Sequence, residues 1–168
     1  FIATLISRLF DDGVTSRLQK ILREEKGLVY SVECRATSLP DTGTIDFDVS
    51  VRSEKIIEVT EILLDEIKKF ISFGVSEDEL KLVKQRYGYD LDYELDDPYR
   101  QIIRHGFCHL YSTEYSAEEE REKISEITPF DILRVARNIF VPEKLNFVLV
   151  GPYTSELKTR LQQLVENF

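Results

Sequence analysis

Arg23 and Tyr30 stand seven residues apart, on either side of Gly27, in the run GVTSRLQKILREEKGLVYSVE. An arginine guanidinium is a planar fork of hydrogen-bond donors with a permanent positive charge, and a phenol hydroxyl can donate or accept. If the two groups converge at the turn between them, they could hold a peptide carbonyl or stabilise an oxyanion. The pair is therefore the first candidate site.

Both side chains also have a structural explanation. An arginine in the last turn of a helix opposes the negative end of the helix dipole, which is reason enough for Arg23. Tyr30 shares strand parity with Leu28, Val32 and Cys34, so its ring is expected to face the apolar side of a sheet and to pack there. On the residues alone, substrate binding and packing both stay open.

His105, Cys108 and His109 form a second candidate site. Histidines four residues apart lie on one face of a helix, and with the thiol beside them they would permit two or three zinc ligands. No carboxylate general base lies inside the motif, and the neighbouring apolar residues are typical of a core helix. Packing histidines are the expectation, and a freestanding metal-binding module is the alternative.

Other patterns indicate no chemistry. The acidic stretches at 90–97 and 118–122 lack the glycine-centred spacing of a calcium loop, so solvated helix faces explain them. Nucleophile-elbow, phosphate-loop and dinucleotide motifs are absent from the sequence. Cys34 and Cys108 are far apart and belong to no C-x-x-C pair, which favours two buried free thiols.

Composition narrows the class of partner. The chain has 31 acidic and 22 basic residues, for a formal charge of -9. An acidic surface is repelled by nucleic acid and by anionic membranes, so neither is expected as a partner. The longest apolar runs fall short of the roughly 20 residues that span a bilayer, and no secretory leader is visible. A soluble protein is expected, with the cytoplasm as its location.

The elements that must position Arg23 and Tyr30 follow from hydrophobic periodicity. A helix is predicted within the first ten residues and a second over 15–26, ended by Gly27 in the left-handed conformation. Alternation then predicts strands over 28–39 and 44–52, joined by a hairpin turn. The candidate site thus lies where the second helix turns into the first strand.

The rest of the chain is mainly helical. Helices are predicted to begin at capping residues or prolines, including a capping box of Ser76 with Glu79, and their starts lie near Ser53, Ser76, Pro98, Ser116 and Thr128. A short strand over 144–150 and a last helix close the sequence. The predicted fold class is α+β, with a mainly antiparallel sheet covered by helices.

Residues 1–168 are expected to form a single domain, because a chain of this length buries one sizeable core. The sequence contains no Met and begins with Phe1, inside a helical pattern that no capping residue precedes. These features predict a piece of a longer product, truncated at its N-terminus. A strand upstream of Phe1 would leave an unpaired sheet edge in this chain.

The run around Arg23 and Tyr30 resembles the signature of the second domain of pitrilysin/insulinase-type zinc metallopeptidases, the group that includes mitochondrial and bacterial processing peptidases. The resemblance covers nearly the whole chain. Its matching segments, in order, are Ser16-Arg17-Leu18, the run from Leu22 to Val32, Gly43, the run from Val75 to Leu80, Thr128-Pro129, and Val150-Gly151-Pro152. One departure is Asp11-Asp12-Gly13, where the family often has a glycine run before the Ser-Arg-Leu segment.

The resemblance implies a clam-shell of two similar domains enclosing a chamber in which unfolded peptides are cleaved. The first domain of such proteins binds zinc through a His-x-x-Glu-His motif and a distant glutamate. This sequence lacks that motif, so zinc is expected only in the full-length protein, and the isolated chain is not expected to be active. The implied role of Arg23 and Tyr30 is to bind substrate and to assist the reaction at the zinc of the other domain.

The implied partners are a zinc-binding N-terminal domain and an unfolded peptide substrate, with a homodimer suggested by analogy. Some relatives keep the fold and have lost catalysis. The alternative function is therefore a non-catalytic scaffold or partner subunit of the same fold.

Overall fold

The computed structural model describes residues 1–111 and 115–168. It confirms an α+β fold with an antiparallel sheet covered by helices, but the sheet is smaller than the sequence predicts. The elements are α1 (Ile2–Phe10), β1 (Val29–Ser38), β2 (Gly43–Val51), α2 (Ile56–Phe73), α3 (Glu77–Asp96), α4 (Pro98–Tyr111), α5 (Ala117–Glu126), α6 (Pro129–Ile139) and α7 (Ser155–Glu166).

Between α1 and β1 lies a helical stretch whose core, Gln19–Glu25, is π-helical rather than α-helical. The predicted helix over 15–26 is therefore present, but most of it has the wider turns of a π-helix. Single π turns of this kind are rare and are frequently found at functional sites. This π segment carries Arg23.

β1 and β2 pair as an antiparallel hairpin, with Val32 opposite Val49 and Cys34 opposite Phe47. A β-bulge interrupts the register near the start of β1, between Val29 and Ser31. A bulge inserts one extra residue in one strand and changes the direction of the side chains around it. The bulge in β1 determines the direction of the Tyr30 side chain.

Helix α1 is the centre of the core. Leu5, Ile6 and Phe10 are completely buried, and the helix packs on β1, α3 and α6. The ring of Phe10 lies 4.9 Å from that of Phe70 and 5.2 Å from that of Phe47. These contacts place α1 between the hairpin and the helical layer, so the strand that bears Tyr30 rests on a fixed support.

The strand predicted over 144–150 is wrong. A short 3₁₀ turn, Pro142–Lys144, is followed by extended backbone that joins no sheet in the part of the chain that the structure describes. Val148 and Val150 are 82% and 92% exposed. An apolar segment becomes a strand only where another strand offers it a hydrogen-bonding edge, and the described residues pair no strand with this one.

The predicted helix starts at Ser116 and Thr128 are confirmed, because each residue caps its helix in a reciprocal capping box. Within residues 1–111 and 115–168, no helix has the length and apolar character needed to span a membrane.

Candidate functional site

The π segment is held to the core from beneath. Leu18 and Leu22 are completely buried, whereas the side chain of Arg23 is 57% exposed. Arg23 therefore projects outward from a helix whose other side is immobilised by packing. Its Nε lies 3.9 Å from Glu24 Oε1, a loose and exposed ion pair of a kind that contributes little, so a ligand could compete for the guanidinium.

Gly27 reverses the chain between Arg23 and Tyr30. Its φ of 57° lies in the left-handed region that favours glycine. The N–H of Gly27 donates to the carbonyl of Arg23 at 3.1 Å, and the N–H of Leu28 donates to the carbonyl of Leu22 at 2.8 Å. These bonds satisfy the end of the helix and set the direction in which β1 leaves it.

Tyr30 does not face the apolar side of the sheet, so that sequence prediction is wrong. Val29 lies opposite Val51 and Ser31 lies opposite Ser50, which makes Tyr30 the extra residue of the β-bulge. Its side chain is 90% exposed, although Val29 and Val32 on either side are buried. Because the bulge cancels the simple alternation, this ring lies outside the core formed by the described residues.

Arg17 is a site-supporting residue to which sequence reasoning assigned no role. Its Nε and Nη2 donate to the two carboxylate oxygens of Glu79 at 2.7 and 2.8 Å, and Nη2 also donates to the carbonyl of Gly74 at 3.0 Å. Its guanidinium lies 4.9 Å from the centre of the Phe70 ring. A forked ion pair of this geometry is stronger than a single bond, and it ties the start of the helical stretch to α2 and α3.

The contact with Arg17 also corrects the predicted capping box at the start of α3. Ser76 Oγ accepts a hydrogen bond from the N–H of Glu79 at 3.2 Å, as expected of an N-cap. The Glu79 carboxylate, however, is bound to Arg17 and not to the N–H of Ser76. The Glu79 side chain thus makes a tertiary contact in place of the second hydrogen bond of the capping box.

Asp11 and Gln19 connect the loop before the π segment to the free edge of β1. Gln19 Nε2 donates to Asp11 Oδ1 and to the carbonyl of Val32, both at 2.9 Å. The N–H of Cys34 donates to Asp11 Oδ2 at 3.1 Å. Residue types alone did not reveal this arrangement, because its members are up to 23 residues apart.

The turn at Asp11-Asp12-Gly13 is also tethered to α1 and α3. Arg8 Nη1 lies 3.4 Å from the Asp12 carboxylate, and the Arg86 guanidinium donates to the Asp12 carbonyl and to Thr15 Oγ1. In place of a glycine run, the chain therefore has a turn held at several points.

Cys34 is a buried thiol, as predicted. Burial, followed by the negative charges of Asp11 and Asp46, raises the pKa of the Cys34 thiol far above its usual range. The thiolate is the reactive form of cysteine, so Cys34 is inert at neutral pH and belongs to the scaffold. Cys108 is only partly buried, which departs from the prediction.

The second candidate site does not fit zinc. His105 and His109 are exposed on α4, and no group of three or more possible ligands occurs among the residues that the structure describes. A protein zinc site needs three or four ligands at about 2 Å. The expected packing role is wrong as well, because Ile102 and Leu110 on the same helix are 70% and 69% exposed.

The acidic stretches are not wholly solvated faces. Asp90 Oδ2 lies 2.5 Å from Arg8 Nη1, and Glu120 is buried, accepting hydrogen bonds from Arg104 and from the hydroxyl of Tyr87. Burial, and next the hydrogen bond to Glu120, raises the pKa of the Tyr87 phenol. Asp90 and Glu120 thus connect helices, and no group of three or more possible metal ligands occurs in the part of the chain that the structure describes.

Comparison with known proteins agrees with this architecture. The profile of the family described as "Peptidase M16 inactive domain" matches residues 1–87. An uncharacterized zinc protease of Streptomyces coelicolor is 27% identical over 155 residues, which is 91% of this chain and 33% of that protein. The chain thus spans about a third of the length of the curated relatives it matches.

Solved structures show the same fold. A peptidase M16 inactive domain from Pseudomonas fluorescens has a TM-score of 0.71 at 19% identity, over 83% of this chain and 34% of that one. A chain of complex III2 from Candida albicans has a TM-score of 0.72 at 20% identity, over 82% of this chain and 35% of that one. The resemblance noted in the sequence is confirmed, and the chain belongs to the family of peptidase M16 inactive domains.

Proposed function

We propose that this chain is the substrate-binding domain of a zinc endopeptidase whose metal is bound elsewhere in a longer protein. One observation carries the proposal. Arg23 and Tyr30 both project into solvent from a segment whose apolar side chains, Leu18 and Leu22 among them, are buried in the core, and the exposure of Tyr30 coincides with a β-bulge. Bulges are over-represented beside active sites, where they redirect a side chain.

The chemistry of the two groups suits a peptide substrate. The Arg23 guanidinium and the Tyr30 hydroxyl can each donate a hydrogen bond to a peptide carbonyl, whose oxygen has two lone pairs to accept them. If the carbonyl oxygen gains negative charge during cleavage, donors already held in place stabilise that charge without reorganising. Exposed side chains on a rigid base are therefore the arrangement that the proposed role requires.

Zinc is proposed for the full-length protein and not for this chain. Related proteins are named zinc proteases, but the described residues 1–111 and 115–168 contain no group able to hold the metal. The proposed partners are thus a zinc-binding N-terminal domain and an unfolded peptide. A homodimer and a cytoplasmic location remain predictions.

A non-catalytic scaffold or partner subunit is the alternative. The fold that this chain shares with a chain of complex III2 is consistent with such a role. The two functions can be separated by reading the open reading frame that encodes this chain. Lack of His-x-x-Glu-His both there and in any adjacent paired gene would rule out the peptidase.

The direct test is peptide cleavage by the complete protein carrying Arg23→Ala or Tyr30→Phe. Each change is expected to lower kcat/KM on the order of 10², the usual effect of removing a transition-state donor. Arg134→Ala and Tyr153→Phe are matched controls, because both side chains are more than half exposed and lie outside the site. Parental cleavage by correctly folded Arg23 and Tyr30 variants would contradict the proposal.

A further inference from the structure

Two connections join the π segment that carries Arg23 to the strand that carries Tyr30, in addition to their packing in the core and the hydrogen bond from Leu28 to Leu22. The first connection is the covalent turn at Gly27. The second is the side chain of Gln19, which reaches from the π segment to the carbonyl of Val32 at 2.9 Å. Gln19 lies four residues before Arg23 and Val32 lies two residues after Tyr30, so this bond spans the candidate site.

Asp11 orients the Gln19 side chain that makes this bond. Its Oδ1 accepts from the same Gln19 Nε2 at 2.9 Å, and its Oδ2 accepts from the N–H of Cys34 at 3.1 Å. One carboxylate therefore contacts both the amide that holds the π segment and the strand that this amide holds. The carboxylate and the amide together fix both the separation and the register of the two elements.

The two polar side chains take the place of a third strand. β2 occupies one edge of β1, and on the other edge the carbonyl of Val32 and the N–H of Cys34 receive their partners from Gln19 and Asp11. Backbone groups of this kind are costly to leave unpaired. The contact is therefore kept, and with it the position of the bulge just upstream.

We propose that Asp11 and Gln19 are positioning residues that set the spacing between Arg23 and Tyr30 for peptide binding, an inference that rests on the function proposed above. Neither residue contacts substrate in this scheme. Each acts through the geometry of the site, because a small displacement between two donors weakens bonds that must form together.

The test is a double-mutant cycle on peptide cleavage by the complete protein. Gln19→Ala alone is expected to lower kcat about tenfold with less change in KM, since misplaced donors lose most in the transition state. In an Arg23→Ala, Tyr30→Phe background, the same change should lower kcat by no more than about twofold, because the residues it positions are gone. Asp11→Ala should behave like Gln19→Ala, and Asp11→Asn should recover part of the loss.

Gln85→Ala is the matched control. Gln85 also donates a side-chain hydrogen bond, to Tyr89 Oη at 2.8 Å, but on the exposed face of α3. Parental kcat is expected for this variant. All assays are made well below the melting temperature of each variant, so that loss of stability does not enter the rate.

The outcomes separate the two proposals. Parental rates for Arg23→Ala and Tyr30→Phe overturn both. Large losses for those variants, combined with a Gln19→Ala effect of the same size in both backgrounds, overturn the positioning role alone. A Gln19→Ala protein that is less stable but has unchanged kcat also overturns the positioning role, because a purely structural contact affects stability and not the rate of cleavage.

Discussion

The turn segment, residues 13–32, and helix α4 both carry candidate chemistry on an amphipathic pattern, yet they are built in opposite ways. In the turn segment, Leu18 and Leu22 are completely buried and the polar candidates project outward. Helix α4 buries none of its side chains, and Ile102 and Leu110 lie largely in solvent. An amphipathic pattern shows that a helix has an apolar face but does not show that anything covers it.

The two regions also differ in what holds them. The turn segment combines buried apolar contacts with the forked pair of Arg17 and Glu79. Helix α4 is attached to α5 by an ion pair, in which the guanidinium of Arg104 binds the buried carboxylate of Glu120. Only the first arrangement keeps exposed donors in a fixed geometry, which is what a binding site needs.

The largest expected difference between the regions comes from removing a leucine. Leu22→Ala should lower the free energy of unfolding by about 2–5 kcal/mol, because it leaves a cavity beneath Arg23. Leu110→Ala on α4 should change it by less than about 0.5 kcal/mol, since that side chain is 69% exposed. Urea unfolding of the two variants measures both values. Equal losses would mean that α4 is packed in solution.

Replacing a fork by a point charge tests the anchoring of the turn segment. Arg17→Lys keeps the charge but cannot bind both Glu79 oxygens and the Gly74 carbonyl at once, so a loss of about 1–3 kcal/mol is expected. Arg35→Lys is the control, because Arg35 is 72% exposed and pairs within its own strand. If the two changes cost the same in urea unfolding, the anchor is weaker than its geometry indicates.

Neutralising one carboxylate tests the attachment of α4. Glu120→Gln keeps the shape of the side chain but leaves Arg104 without its buried charge partner, and a loss of about 1–2 kcal/mol is expected. Amide hydrogen exchange should quicken in α4 while the π segment keeps its protection. Glu118→Gln, an exposed neighbour, should leave both unchanged. Equal acceleration in both regions would show that they do not open separately.

The smallest expected effect is a difference in alkaline stability. The pKa of the Tyr87 phenol is raised in the folded protein, so the unfolded chain ionises first and stability falls as the pH rises above about 10. Below that pH the contribution is fully present. Tyr87→Phe should lose less stability than the parent between about pH 9 and 11. Tyr153→Phe, a change at an exposed site, is the control and should lose stability with pH as the parent does. If stability falls as steeply with pH in Tyr87→Phe as in the parent, the Tyr87 phenol is not the cause of the loss.

Local patterns predicted much of the fold and one half of the site. Several features depend only on residues within a few positions of one another. They are the period change at Gly27, the strands of the hairpin, and the capping motifs at Ser116 and Thr128. Such interactions are written directly in the sequence. The position of Arg23 in the last turn of a helix before Gly27 follows from the same local pattern, although the helix there is of the π type.

The other half of the site depended on tertiary structure. Alternation alone predicts Tyr30 on the apolar face, but strand parity holds only while the register is uninterrupted, and a bulge in the pairing with β2 lies between Val29 and Ser31. The apolar segment 144–150 likewise needed a partner strand that the described residues do not supply.

The sequence by itself thus determined the class of fold, the family and the spacing of Arg23 and Tyr30, because these are properties of neighbours along the chain. Only the tertiary structure decided that Tyr30 is exposed, that α4 is uncovered, and that Glu79 serves Arg17, 62 residues away. Contacts between distant residues form only once packing brings their elements together, and no local pattern encodes them.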